Sequence, residues 1–272
     1  MSAPAQAAQA APRPVVVLLH ASASSARQWD ALAQALEPQA QVHAVDLLGH
    51  GKRAAHATPA TVHDEAALVQ PILQAAGAVH LVGHSYGGAV AMHLAAAQPS
   101  RVLSLAVYEP VLFSLLAEHE PWSPAAREAF TLADTMRMRV AAGDLLAAAA
   151  GFIDYWSGPG AWAGMSAQRQ QAVASRMPEV AQHFEALYRE PMPAQKLARL
   201  QMPLLCLSGG RSTRSAQRIV ALLHGLLPNA WHAHVPEAGH MGPVSHAPLV
   251  NPHLLAFLQT QLNQGAAATV AA

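Results

Sequence analysis

One stretch constrains this chain more than any other: Val79-His80-Leu81-Val82-Gly83-His84-Ser85-Tyr86-Gly87-Gly88. A short apolar run enters Gly-His-Ser-Tyr-Gly, and Ala89 to Ala97 continues with helical composition. The pattern predicts a strand, a very tight turn and a helix, with Ser85 at the apex. Strand and helix must pass close together at such a turn, so its neighbours must be small. Gly83, Gly87 and Gly88 meet that need. Ser85 would project its hydroxyl beyond the sheet edge, where the first N–H groups of the following helix face a developing negative charge. In that setting Ser85 reads as a nucleophile rather than a turn serine.

The 272 residues suit one large α/β domain or a core with an inserted subdomain. Hydrophobic residues make up 52% and charged residues 12%, which excludes a disordered chain. Formal net charge is zero, and no basic stripe interleaved with aromatics offers itself to a phosphate backbone, so nucleic acid is not an expected partner. The single cysteine, Cys206, has no intramolecular partner and reads as a buried strand residue. No apolar run reaches the roughly 18 residues that would span a membrane. The Ala/Gln-rich N-terminus lacks a positive n-region and a strongly apolar h-region, so 1–13 reads as a flexible tail, as does 263–272. A cytoplasmic location is the expectation.

Along the chain, apolar runs alternate with helical patterns. Strands are predicted at Val15–Leu19, Val42–Val45, the run before Ser85, Val102–Tyr108, Pro203–Leu207 and Ala230–Val235. Helices are predicted at 26–36, 61–76, 89–97, 216–227 and 249–262, with Thr61 and Asp64 suited to a capping box and Pro71 expected to kink its helix. This order implies a mostly parallel sheet with helices on both faces. Residues 111–200 break the rhythm: they are Ala-rich, helical in period and hold most of the aromatics. They read as a helical insertion over the carboxyl edge of the sheet, with Tyr155-Trp156-Ser157-Gly158-Pro159-Gly160-Ala161-Trp162 as an aromatic loop able to roof a pocket. The domain reading is a core over 14–110 and 201–262, with a cap over 111–200.

A serine nucleophile needs a general base. His240 sits in Ala238-Gly239-His240-Met241, a loop after the last strand and on the same sheet edge as Ser85. His232 and His234 lie on a strand and read as structural. His20 ends the first strand and reads as an organiser of its own loop. Neither His50, in a turn, nor His84, beside the nucleophile, is placed to act on Ser85.

Four motifs in order, Leu18-Leu19-His20-Ala21-Ser22, Asp46-x-x-Gly49-His50-Gly51, Gly83-His84-Ser85-Tyr86-Gly87-Gly88 and Ala238-Gly239-His240-Met241, resemble those of the α/β-hydrolase superfamily across residues 14 to 262. The resemblance implies Ser85 as nucleophile, His240 as base, and the backbone N–H groups of Tyr86 and Ser22 as oxyanion donors, with Ala21 standing where Gly is usual. It departs at the acid. The superfamily commonly carries Asp in a G-x-x-D loop, and here Gly209-Gly210-Arg211-Ser212 puts Ser212 at that place. Glu109, 24 residues past Ser85 at the end of the next strand, is the candidate acid, since part of the superfamily carries an acid there. Glu237, Asp46 and no acid at all stay open. Arg211 and Arg214 read as solvated loop charges.

The resulting expectation is a serine hydrolase of carboxylic esters or related acyl compounds, working through an acyl-enzyme on a small apolar substrate, without metal or cofactor. The serine at the nucleophile position excludes alkyl-enzyme chemistry, which needs a carboxylate there. His84, Phe113, Tyr155, Trp156, Trp162 and Met241 are the candidate pocket wall. C–C bond hydrolysis or cofactor-free haloperoxidase-type chemistry on the same residues is the enzymatic alternative. A ligand-holding scaffold without turnover is the alternative of another class.

Overall fold

The computed structural model describes residues 13–56 and 58–270. Of the tail expected over 1–13, all but Arg13 lies outside the described residues. Six strands form one sheet: β1 (Val15–Leu19), β2 (Gln41–Val45), β3 (Val79–His84), β4 (Val102–Tyr108), β5 (Leu204–Gly209) and β6 (Trp231–Val235). Their order is β2-β1-β3-β4-β5-β6, and every pairing is parallel. Side chains alternate across the sheet, as a period of two requires. Val15, Val17 and Leu19 join one core; Val16 and Leu18 join the other. Leu105 and Val107 against Ala106 and Tyr108, or Leu204 and Cys206 against Leu205 and Leu207, repeat the division. Sheets buried on both faces read as continuous apolar runs, which is why these strands are legible.

The helices between β1 and β4 are α1 (Asp30–Leu36), entered through a 3₁₀ turn at Ala26–Trp29, then α2 (Val62–Ala67), α3 (Gln70–Ala76) and α4 (Tyr86–Ala97). Residues 61–76 are thus two helices rather than one kinked helix. Pro71 lacks an N–H and its ring crowds the carbonyl four residues back, so α2 stops at Ala67 and α3 restarts with Pro71 in its first turn. The capping box is present: Thr61 Oγ1 accepts the Asp64 N–H at 3.1 Å and Asp64 Oδ2 accepts the Thr61 N–H at 2.9 Å.

Between β4 and β5 lie six helices: α5 (Phe113–His119), α6 (Pro124–Ala141), α7 (Leu145–Ser157), α8 (Ala167–Ala174), α9 (Met177–Arg189) and α10 (Ala194–Leu197). Ser123, Asp144 and Ser166 cap α6, α7 and α8 by accepting N–H groups of their first turns. After β5 come α11 (Arg214–Leu226), α12 (Gly242–Ser245) and α13 (Ala247–Val270). α13 runs through Val270, into the segment expected as a tail from 263, because Ala266 to Ala268 favour helix strongly enough to carry it past Gly265. Cys206 is buried in β5, as its apolar setting implies, and burial pushes its thiol up to about 12.

Strand order reverses at β1, with β2 on one side and β3 on the other. Parallel sheets open a crevice at the carboxyl ends of strands at such a reversal. The loop after β1 holds Ser22 and the turn after β3 holds Ser85. The elbow glycines are sterically required. A Cβ on Gly83 would lie 2.6 Å from the Gly88 Cα, and one on Gly87 would lie 2.6 Å from the Leu19 carbonyl oxygen, both immovable backbone. By contrast, a Cβ on Gly225 in α11 meets nothing within 4 Å. Gly87→Ala is therefore expected to destabilise by at least about 1–3 kcal/mol, while Gly225→Ala stabilises by about 0.5–1 kcal/mol. Thermal unfolding of the two variants checks this contrast.

Candidate active site

Ser85 follows β3 with φ of 55° and ψ of −118°, a region closed to ordinary L residues. Its surroundings hold it there. Its N–H donates to the Tyr108 carbonyl at 3.0 Å, and its own carbonyl accepts from Ala89 at 3.0 Å and Val111 at 3.3 Å. The adjacent strand repeats the device: Glu109, just after β4, has φ of 43°, and its N–H donates to the Leu207 carbonyl at 3.1 Å. Strained non-glycine residues at two neighbouring strand tips mark a place where geometry outweighs local comfort.

These tips and the loop after β6 bring three predicted residues into contact. His240 Nε2 is 2.9 Å from Ser85 Oγ, and His240 Nδ1 is 2.8 Å from Glu109 Oε2. All three are buried. The other carboxylate oxygen of Glu109 accepts the Gly209 N–H at 2.7 Å and the Ser212 hydroxyl at 2.6 Å. Ser212 thus touches the carboxylate that reaches toward its loop from the neighbouring strand. The remaining acid candidates lie elsewhere. Glu237 is exposed. Asp46 accepts the Ala26 N–H at 2.7 Å and the Lys52 N–H at 2.9 Å, so it organises its own turn. Arg211 and Arg214 are exposed.

Two side chains clamp the His240 loop from below. Tyr108 donates its hydroxyl to the Gly239 carbonyl at 2.7 Å, and His84 donates Nε2–H to the His240 carbonyl at 2.8 Å. The Gln28 amide donates to His84 Nδ1 at 3.1 Å, which sets that tautomer. Burial holds the His84 imidazole well below its ordinary pKa, so it stays neutral. Gln28 also accepts the Ala21 N–H at 3.2 Å, and His50 Nε2 accepts the Ala23 N–H at 3.0 Å. The loop is pinned on either side of Ser22. Its positive φ falls at Ala23 and not at Ala21, so the backbone at Ala21 does not call for glycine. Tyr86 opens α4, so its N–H has no acceptor within the helix.

A narrow, mostly apolar cavity lies over Ser85. Phe113, Trp156 and Met241 line it, together with Ala21, Ser22, Val111, Phe152, His183, Phe184 and Leu187. Trp156 stacks on the His240 ring at 3.9 Å between centroids. Three expected wall residues are elsewhere. His84 lies behind His240, in the clamp. Tyr155 turns away to bond Ser215 Oγ at 2.5 Å and Glu128 at 3.3 Å. Trp162 is half-buried, its backbone N–H donating to Asp154 Oδ1 at 2.8 Å, and packs against the helical core. One face of a helix reaches the cavity, so Trp156 excludes its neighbour Tyr155.

A family model for the alpha/beta hydrolase fold matches residues 14–247. The chain belongs to the α/β-hydrolase family. This hydrolase is 26% identical over 249 residues to a pimeloyl-(acyl-carrier protein) methyl ester esterase of Pectobacterium atrosepticum, covering 90% of the chain and 94% of the relative. It is 42% identical over 99 residues to lipase LipV of Mycobacterium tuberculosis, a match spanning 36% of the chain and 37% of that lipase. Among solved structures, a hydrolase of Pseudomonas aeruginosa PA01 superposes with a TM-score of 0.73 at 25% identity, covering 92% of this chain and 91% of that one. Among the described residues no helix is long and apolar enough to cross a membrane.

Two polar residues of the α/β hydrolase escaped the sequence reading, His183 and Glu65. Each had a signal. His183 falls in the apolar stripe Met177, Val180, Phe184, Leu187 of α9, and Glu65 in the stripe Val62, Ala66, Val69 of α2 and its end. A buried polar residue in such a stripe is the informative exception.

Burial pushes the imidazoles of His20 and His183 down to about 3, and those of His50 and His80 down to about 4. In the unfolded chain these rings protonate near about 6.5. Between the two values the unfolded state binds more protons, so stability rises with pH across that window. Glu65, pushed up to about 7 by burial, opposes this, since its contribution is lost as pH rises through about 7. It is one group against these four, and His84 and His93, likewise pushed down by burial, act in the same sense as the four. Tm is therefore expected to fall from about pH 7 to about pH 5 at constant ionic strength; a flat or rising Tm would contradict the neutral buried imidazoles.

Proposed function

We propose that this α/β hydrolase is a serine esterase acting on carboxylic esters with an apolar acyl or alcohol part. One observation carries the reading: the unbroken line Ser85 Oγ, His240, Glu109, with contacts of 2.9 and 2.8 Å beneath a mostly apolar cavity. Ser85 attacks the ester carbonyl while His240 Nε2 takes its proton. Glu109 accepts His240 Nδ1–H and stabilises the imidazolium that forms. The backbone N–H groups of Tyr86 and Ser22 hold the oxyanion. His240 then passes the proton to the leaving alcohol, and water, activated by the same imidazole, releases the acyl group. In this reading α5 to α10 form the cap, and the aromatic wall they supply packs against the apolar part of the ester. The esterase and lipase names of the relatives support the ester class.

Hydrolysis of p-nitrophenyl butyrate tests this. Ser85→Ala is expected to abolish turnover and labelling by a fluorophosphonate. Glu109→Gln is expected to lower kcat on the order of 10³–10⁴-fold while keeping the fold, and Glu237→Gln to leave kcat unchanged. Because Ser212 touches Glu109, adding Ser212→Asp to Glu109→Ala is expected to restore part of the lost rate. Full activity in Glu109→Gln, or loss in Glu237→Gln, would refute the acid assignment.

A further inference from the structure

Two Ser–His pairs share the cavity. The first is Ser85 with His240. The second is Ser22 with His183, whose Nδ1 lies 2.8 Å from Ser22 Oγ. These four are the polar residues of an otherwise apolar wall. His183 arrives from α9 and is buried. Its ring lies flat on Tyr86, 3.8 Å between centroids at 9°, with His50 stacked at 5.0 Å. The stacking fixes the plane of the ring, and the contact to Ser22 sets which edge faces the cavity. Its Nε2 faces Glu65 Oε1 at 3.6 Å. Glu65 is fully buried, its Oε2 accepts the Leu48 N–H at 3.0 Å, and its Oε1 has no hydrogen-bond partner.

We propose that His183, backed by Glu65, is a positioning residue that aims the Ser22 hydroxyl at the reacting carbonyl oxygen, adding a side-chain donor to the oxyanion hole. This rests on the esterase reading above. A neutral imidazole has one donor and one acceptor nitrogen, so its tautomer decides which way the Ser22 proton points. With the Glu65 carboxyl protonated, its O–H faces the Nε2 lone pair. Nδ1–H then donates to Ser22 Oγ, and the Ser22 proton is free for the cavity. With Glu65 ionised, one proton has left to solvent, Nε2–H faces the carboxylate and Nδ1 accepts the Ser22 O–H. The hydroxyl then offers only lone pairs to a negative oxygen.

Glu65 and His183 also border a small crevice with His56, Glu179 and Gln182. The titratable and charged groups around Glu65 and His183 are Asp64 on the helix of Glu65, His20 after β1, His50, Arg53 and His56 after β2, Tyr86 of α4, and Glu179 of α9. Burial pushes the Glu65 carboxyl up to about 7, toward the form that frees the Ser22 proton.

Steady-state kinetics on p-nitrophenyl butyrate with Ser22→Ala, His183→Phe and the double variant test the proposal, with Ser85→Ala alongside. Ser22→Ala keeps the backbone N–H and removes only the hydroxyl. Each single variant is expected to lower kcat about tenfold with KM little changed, and the double to fall no further than either. The wild type is expected to lose kcat above neutral pH as Glu65 ionises; in Glu65→Gln the amide N–H replaces the acid proton, and that loss is expected to disappear. An unchanged kcat in Ser22→Ala, effects of Ser22→Ala and His183→Phe that multiply, or a Glu65→Gln pH profile identical to wild type would each overturn the proposal. If His183→Phe fails to fold, Ser22→Ala and the Glu65→Gln profile decide it. Activity surviving in Ser85→Ala would instead bring down the esterase reading itself.

Discussion

The Glu109 carboxylate is the interaction on which the top of the sheet depends. It sits at the tip of β4, and its partners come from the end of β5, the loop beyond β5 and the loop after β6. One side chain thus ties three strand ends together with charge-assisted bonds, the strong class of hydrogen bond. Its backbone, at φ of 43°, is held in a region that costs roughly 1–3 kcal/mol for a non-glycine residue. The donors around the carboxylate offset that cost, and the strain in turn aims the carboxylate at His240. Ser85, equally strained one strand away, completes the line.

Above this frame the helices between β4 and β5 bring apolar faces onto polar ones. Trp156 lies over His240, and His183 over Tyr86, so each half of the site is covered by a ring from the same segment. The covering does two things at once. It surrounds the site with apolar atoms, and a lower local dielectric strengthens the electrostatic contacts inside it. It also holds imidazoles neutral by burial, as for His84 and His183, so that their tautomers rather than their charges carry information. Movement of α7 or α9 would therefore change solvent access and hydrogen-bond direction together.

Much of this was legible in the sequence, for physical reasons that differ from residue to residue. The strands were readable because a sheet covered on both faces must be apolar throughout. The elbow was readable because few residues besides glycine fit where β3 meets α4. Glu109 was nominated by resemblance, since Ser212 stands at the usual place of the acid. What the sequence could not show is direction. Tyr155 and Trp156 are adjacent and equally aromatic, yet only one faces the cavity. His183 and Ser22 are 161 positions apart, and nothing local announces their 2.8 Å contact. Pro71 signalled a disturbance but not whether the helix would bend or break.

In the proposed mechanism everything turns on Glu109 accepting the Nδ1 proton of His240. Proton NMR of that hydrogen, assigned by selective ¹⁵N-histidine labelling, tests it most directly. A resonance well downfield of the amide region is expected in the wild type and in Glu237→Gln, protected from solvent exchange, and is expected to be lost in Glu109→Ala. A downfield signal that survives in Glu109→Ala, or that vanishes in Glu237→Gln, would contradict it.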